Sequence, residues 1–186
     1  MSRVDQTIQL PELYSRHRGK VRAFIFGMVR DEWIAEDLTQ ETFVRVLRNV
    51  SELNDPAKVS SWIFTIASNL CQDHFRDGKR APVDPKEVPE RSTATPLVSI
   101  QKSVEQRQMT DCVRQYMDLL PETLKSLLVL YDVLEFTHKE IAETLEISVQ
   151  NVKVRLHRAR TRLKKILEEK CRFESDERNV RVCVPR

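Results

Sequence analysis

Apolar residues in the first part of the chain recur in steps of three and four, the spacing of helices with one buried face. The pattern predicts three helices, over Leu10–Arg30, Ile34–Val50 and Val59–Arg76. A run rich in turn-forming residues, SELNDPAK (51–58), separates the second helix from the third. The side chains expected to face inward are Leu13, Val21, Phe24, Ile25, Met28, Val29, Ile34, Leu38, Phe43, Val46, Leu47, Val50, Val59, Trp62, Ile63, Ile66, Ala67, Leu70 and Cys71.

The helical pattern is interrupted at residues 81–105, APVDPKEVPERSTATPLVSIQKSVE, which hold four of the eight prolines. Proline restricts itself and the residue before it to extended conformations, so this segment predicts a linker. It divides an N-terminal unit, 8–80, from a C-terminal unit, 106–168, and a tail, 169–186, follows. The expected fold class is therefore all-α, with two small helical domains joined by a proline-rich linker.

The C-terminal unit carries sharper helix signals. Pro121 suits the first turn of a helix that continues to about Leu134. Thr137 and Glu140 have the spacing of a capping box, and Ser148 is a suitable N-cap for the last helix. Two helices joined by the short turn before Ser148 make a helix-turn-helix. The apolar positions of the last helix are Val149, Val152, Leu156, Ala159, Leu163 and Ile166.

That last helix is basic on its other faces. Residues 148–165 contain seven Lys or Arg and no Asp or Glu. A solvated helix face is the alternative interpretation, but such faces usually mix both signs of charge. A face of one sign beside a tight helix-turn-helix favours contact with DNA phosphates and the major groove.

Charges also segregate in the N-terminal unit. Residues 31–41, DEWIAEDLTQE, carry five acids and no base. They fit either an ordinary acidic helix start or a protein-docking face. The stretch from Trp62 and Phe64 to His74, Phe75, Arg76, Lys79 and Arg80 puts aromatic residues next to basic ones, as in stacking platforms for unpaired bases, although Trp62 lies on the apolar stripe expected of the core.

Composition and motifs limit the kinds of chemical site that we expect in the chain. Three Gly in 186 residues leave no glycine-rich phosphate loop, and HExxH and GxSxG motifs are absent, so we expect no enzyme. The four Cys form no CxxC and no zinc-finger spacing with His, so no metal or cofactor is expected. The net charge is only +3. Without a signal peptide or an apolar run long enough for a membrane, the expected location is the cytoplasm.

Three segments together resemble the bacterial extracytoplasmic-function (ECF) group of the sigma-70 family. AEDLTQETFVRVLRN (35–49) resembles the helix that docks on the RNA polymerase clamp. SSWIFTIASNLCQDHFRDGKR (60–80) resembles the helix that recognises and opens the −10 element. The stretch 120–167 resembles the −35-binding domain, and the resemblance as a whole covers about residues 10–168.

The resemblance implies roles for residues at matching positions. Contact with the polymerase clamp helices would come from Asp37, Gln40, Glu41, Phe43 and Arg45. Contact with −10 DNA would come from Lys58, Ser60, Asn69, Asp73, Arg76, Lys79 and Arg80, and the loop 53–60 would accept an extruded base. Contact with −35 DNA would come from Gln150, Asn151, Lys153, Arg155, His157, Arg158 and Arg162. An anti-sigma factor would be a further partner, and no part would insert into a membrane.

Two alternatives explain part of the same pattern. A helix-turn-helix regulator that works without polymerase explains 120–167 but not the order of segments in 35–80. A sigma-like protein that only sequesters an anti-sigma factor conflicts with the intact basic helix. The family often has Gly where Glu135 and Gln150 stand here, so the helix end at Glu135 is expected to differ and Gln150 to add a base contact.

The tail contains Cys171 and Cys183. The stretch Val180–Val182 is typical of a short strand. Three interpretations stay open: a frayed tail with reduced thiols, a disulfide that closes a small loop, and a metal or partner-docking role. A metal would need two further ligands, from Cys71, Cys112 or His157.

Overall fold

The structure is a computed structural model that describes residues 10–53, 55–78, 113–175 and 181–185. The segment predicted as a proline-rich linker lies outside the described residues, and so do Lys79, Arg80 and Cys112. The division into domains at 80, 105 and 168 therefore stays a prediction.

The N-terminal unit consists of the three expected helices: α1 (Leu10–Val29), α2 (Glu32–Asn49) and α3 (Val59–Gly78). Two short 3₁₀ turns, Val50–Glu52 and Pro56–Lys58, connect α2 to α3. The three helices pack on one another around a buried aromatic pair, Phe24 and Phe64, whose ring centroids are 5.8 Å apart.

The C-terminal unit begins with a helical segment at 113–117. It continues with α4 (Glu122–Leu128), a π-helical turn (Val129–Val133), α5 (His138–Thr144) and α6 (Val149–Lys170). The helix predicted from Pro121 thus ends in a wider π turn rather than as regular α-helix. Helices α5 and α6 form the predicted helix-turn-helix.

The predicted caps of the helix-turn-helix are present. Thr137 and Glu140 form the complete capping box, and the hydroxyl of Ser148 accepts from the Asn151 amide at 3.2 Å. Glu135 and Glu146, at the ends of the π turn and of α5, both take a left-handed backbone, with φ of 59° and 53°. The helix end at Glu135 therefore has the backbone that glycine favours, although a side chain is present.

A β-hairpin follows α6. Its strands β1 (Cys171–Ser175) and β2 (Arg181–Pro185) are antiparallel. The all-α expectation is confirmed for the two helical units, and the hairpin adds a short sheet beyond them. The tail is thus paired rather than frayed over these residues, and β2 includes two of the three positions predicted as a strand.

The two units pack against each other. Helices α1 and α3 of the first unit contact α4, the π turn and α5 of the second. We call this contact the domain seam. Its residues are Gly27, Met28, Arg30, Ser61, Phe64 and Thr65 in the first unit and Asp118, Lys125, Val129, Phe136, Glu143 and Thr144 in the second.

Candidate nucleic-acid interface

Helix α6 presents one face to the core and another to solvent. Val152, Leu156 and Ala159 are buried, at the spacing of successive turns. The opposite face therefore projects outward, with Arg155 half-buried at its margin. The exposed predicted −35 contacts are Gln150, Asn151, Lys153, His157, Arg158 and Arg162.

The bases of α6 divide into two groups. Within the described part of the chain, Lys153, Arg155, Arg158 and Arg162 form no ion pair. Arg160 instead lies 4.9 Å from the ring centroid of Tyr131 and bonds Asp132, which raises the pKa of Arg160 above its ordinary value. The first group thus has its charge available for a polyanion.

The predicted −10 contacts on α3 share a face. Asn69, Asp73 and Arg76 follow one another at steps of four and three, and Asn69 and Arg76 are exposed. Arg76 pairs with Asp73 at 2.7 Å. Phe64, which the aromatic pattern offered as a stacking platform, is fully buried, and Trp62 packs partly against the core.

The loop before α3 is fixed at both ends. Leu53 is buried, and the Asp55 carboxylate accepts from the Ala57 amide at 3.0 Å, which caps the turn Pro56–Lys58. Lys58 is exposed and Ser60 is half-buried at the start of α3. The arrangement gives a short loop with exposed side chains at the N-terminal end of α3.

The acidic stretch 31–41 serves two purposes. Asp31 caps α2 by accepting from the Ile34 amide at 2.9 Å, and Glu36 bonds Arg18 of α1 at 2.6 Å. The Arg18 bond is the main reason that the pKa of Glu36 lies below its ordinary value. Asp37 stays exposed. The helix-start role thus falls on Asp31, and the docking role of the stretch stays a prediction.

The predicted polymerase contacts do not all share the outer face of α2. Asp37 and Gln40 are exposed, and Glu41 and Arg45 are half-buried and paired at 2.9 Å. Phe43 is only 6% exposed and meets the Tyr14 ring edge-on at 4.8 Å. Phe43 therefore belongs to the core, and the structure does not bring it to the outer face.

Two large apolar side chains on that outer face escaped the sequence analysis. Trp33 is 84% exposed, and Leu47, expected to face inward, is 52% exposed. With Asp37 and Gln40 they follow a helical step of about 3.5 residues, which puts them on one stripe. The stripe ends at an apolar groove of about 240 Å³ lined by Pro11, Leu13, Tyr14, Phe43, Val46 and Leu47. The spacing from Trp33 to Gln40 was a signal available in the sequence.

Comparison with known proteins identifies the family of the chain. The Sigma-70 region 2 family profile matches residues 13–81, and the Sigma-70, region 4 profile matches residues 110–163. The ECF RNA polymerase sigma factor SigM of Bacillus subtilis (strain 168) is 32% identical over 161 residues, which cover 83% of this chain and 93% of SigM. The chain belongs to the ECF sigma factors.

Other matches agree. The RNA polymerase sigma factor SigZ of the same organism is 28% identical over 91% of this chain and 93% of its own length. The sigma factor RpoE of Bartonella quintana, solved in complex with the anti-sigma factor NepR, has a TM-score of 0.68 at 21% identity and covers 85% of this chain and 96% of that one. That structure supports the fold.

Membership confirms the predicted function at the level of the whole protein. As a sigma factor, the chain acts with core RNA polymerase and promoter DNA to direct promoter-specific transcription. A helix-turn-helix regulator independent of polymerase is not favoured. Sigma factors are DNA-binding initiation factors rather than catalysts themselves. None of the described helices is long and apolar enough to cross a membrane.

Proposed function

We propose that the exposed face of α6 reads the −35 element in the major groove. The observation that carries this is the projecting face of one charge sign, held by a buried stripe and a capped N-terminus. A helix fits the major groove, where Arg pairs two-pronged with guanine and Asn or Gln with adenine. Gln150 and Asn151 lie at the helix start, where recognition helices contact base edges.

The −10 element meets the first unit. The supporting observations are the exposed side chains of Asn69 and Arg76 on α3 and the exposed Lys58 at the end of the loop before this helix. Accepting an extruded base there offsets the few kcal/mol that unstacking costs. Asp73 orients Arg76 through their ion pair, and Lys79 and Arg80 follow the end of α3 in the sequence.

Polymerase docks on the outer face of α2. Asp37, Gln40, Glu41 and Arg45 supply polar and charged contacts to the clamp helices, while Phe43 supports the face from inside. The protein works in the cytoplasm, where polymerase and chromosome meet. It makes and breaks no covalent bonds, and an anti-sigma factor is a further partner, since RpoE of Bartonella quintana was solved in complex with the anti-sigma factor NepR.

Transcription in vitro with core polymerase on genomic fragments tests the function and recovers a promoter. Core-dependent, sequence-specific transcripts are expected. Asp37→Arg should lower affinity for core at least tenfold and leave affinity for a −35 duplex unchanged. Glu12→Arg, an equal charge reversal at an exposed position of α1, is the matched control. Core binding that survives Asp37→Arg at full strength contradicts the assignment of the α2 face.

A further inference from the structure

The outward face of α6 has an apolar side chain at its centre. Val154 is 38% exposed, and it stands two positions from both Val152 and Leu156, which are buried. Two residues of an α-helix turn through about 200°, so Val154 projects away from the core that those two side chains enter. Its position is therefore the middle of the face that we assign to −35 DNA.

The neighbours of Val154 on that face are all polar. On a helix the adjoining surface positions lie three and four residues away. Here they hold Gln150, Asn151, His157 and Arg158, and all four side chains are exposed. Each of the four is a predicted −35 contact. Val154 is thus surrounded by side chains that we expect to meet base edges, although its own side chain can neither donate nor accept a hydrogen bond.

The fold of the free chain gives Val154 no part in the buried stripe of α6. Among the residues of this helix, all of which the structure describes, the other exposed large apolar side chain is Val149. Val149 precedes the buried Val152 by three residues and so extends the stripe to the helix start. Val154 lies on the opposite side. Valine is also a poorer helix former than alanine, because its branched side chain loses χ1 freedom. Helix stability therefore does not explain valine at this position.

The chemistry of the major groove limits what an apolar side chain can usefully meet there. Guanine, adenine and cytosine present hydrogen-bonding atoms and no methyl group, whereas thymine presents a C5 methyl group beside its O4 acceptor. An apolar side chain pressed on a polar atom removes its water without replacing the hydrogen bond, which costs free energy. Against the thymine methyl group, the same contact removes two apolar surfaces from water. A valine in the groove therefore favours thymine over the other three bases.

We propose that Val154 is a specificity-determining residue that selects a thymine in the −35 element by contact with its methyl group. The proposal rests on the proposed function, since it requires α6 in the major groove. The branched side chain strongly prefers one rotamer in a helix, so both γ-methyl groups are fixed before DNA binds. The first turn of the helix is fixed too, because the Ser148 hydroxyl accepts from the Asn151 amide at 3.2 Å.

Replacement of single thymines by deoxyuridine tests the proposal on the unaltered protein. Deoxyuridine lacks only the C5 methyl group and pairs with adenine as thymine does. The probe is a promoter fragment recovered by core-dependent transcription, in which each thymine of the −35 region, on either strand, is replaced in turn. Wild-type holoenzyme should bind about fourfold more weakly when one particular thymine is replaced, the effect of losing one buried methyl group.

Val154→Ser should abolish that effect. It removes both γ-methyl groups at an exposed position, so helix content and affinity for core polymerase should not change. Its holoenzyme should bind the thymine and deoxyuridine forms of the fragment equally. Val149→Ser is the matched control, since it makes the same change in the same helix at a side chain that is 40% exposed. This variant should keep the preference of about fourfold for thymine.

The remaining outcomes separate the proposal from the function on which it rests. Base preferences at −35 without any deoxyuridine effect overturn the proposal, and so does a deoxyuridine effect that survives in Val154→Ser. A loss in Val154→Ser that is equal for both forms of the fragment also overturns it, and indicates contact with the DNA backbone or with polymerase. Wild-type holoenzyme that yields no transcript, or that shows no base preference at −35, contradicts the proposed function, and the role of Val154 falls with it.

Discussion

Arg160 lies over the ring of Tyr131, with its guanidinium carbon 4.9 Å from the ring centroid. The same guanidinium bonds Asp132, and the Tyr131 ring stacks on His138 at 4.9 Å. Arg160 thereby holds α6 against the π turn, whose Tyr131 ring in turn stacks on α5. Two arginines two positions apart, Arg158 and Arg160, thus have different surroundings.

Arg158→Ala and Arg160→Ala should separate DNA reading from stability. Arg158→Ala should cost roughly 1–3 kcal/mol of binding at one promoter position and leave unfolding unchanged. Arg160→Ala should lower the free energy of unfolding by about 1 kcal/mol, because an exposed ion pair and a cation–π contact are lost. Denaturant unfolding and binding to −35 duplexes with single-base changes measure the two effects. A uniform loss across all sequences with Arg158→Ala would show a phosphate contact instead.

Trp33→Ala should weaken polymerase binding by roughly 30-fold, the effect of a central aromatic anchor of about 2 kcal/mol. Because the Trp33 side chain is so exposed, the thermal unfolding temperature of the Trp33→Ala variant should equal that of wild type. Leu119→Ala, which removes an exposed apolar side chain in the second unit, is the control and should bind core normally. Equal affinities for the two variants would exclude Trp33 from the interface.

Glu135→Gly should stabilise the protein by about 0.5–1 kcal/mol. The left-handed φ of 59° penalises any residue with a Cβ, and glycine removes that penalty at some entropic cost in the unfolded chain. Lys139→Gly, in the first turn of α5, should instead destabilise by about 1 kcal/mol. Chemical denaturation of both variants checks the opposite signs.

Stability should fall on mild acidification through His17. Burial, with the charges of Arg16 and Lys20 nearby, lowers the pKa of His17, so the unfolded chain binds a proton more readily than the folded one. The contribution is present above the ordinary histidine pKa of about 6.5 and is lost as the pH drops below it. His17→Gln should therefore lose less stability between about pH 7.5 and pH 5.5 than wild type, and His157→Gln, at an exposed position, should behave as wild type.

The thiols should differ in reactivity. Burial raises the pKa of Cys71 to about 12, so native protein should resist alkylation there until it unfolds. The hairpin register places Cys171 opposite Pro185 and Cys183 opposite Phe173. Such diagonal neighbours lie about 7–8 Å apart, beyond the usual disulfide span. Mass spectrometry after mild oxidation should find no Cys171–Cys183 disulfide, and a quantitative yield of that bond would contradict the register.

Sequence signals such as caps and apolar periodicity predicted most of the helices, because each of these signals depends on only a few neighbouring residues. The capping box of Thr137 and the N-cap Ser148 mark their helix starts through side chains that bond amides three positions on. The inward assignment of Leu47 is wrong because Val46 and Leu47 are adjacent apolar residues, and periodicity alone does not say which of them faces the core. The π turn also escaped prediction, since its apolar pattern matches that of an ordinary helix.

The seam lay beyond the reach of sequence reasoning for a different reason. Lys125 reads as a surface lysine of α4, but in the fold it is buried and its Nζ donates to the carbonyl of Met28, which is 97 residues away in the sequence. Gly27 is equally uninformative alone, because nothing in the sequence shows that Val129 approaches it. Contacts between units separated by a long connection have no periodic signature.

The close approach at Gly27 has an evolutionary consequence. A single nucleotide change to alanine at this codon alters no side chain that meets DNA or polymerase, yet it adds a methyl group where Val129 leaves no room. Selection at this codon therefore acts on the packing of the two units and not on a contact with DNA or polymerase.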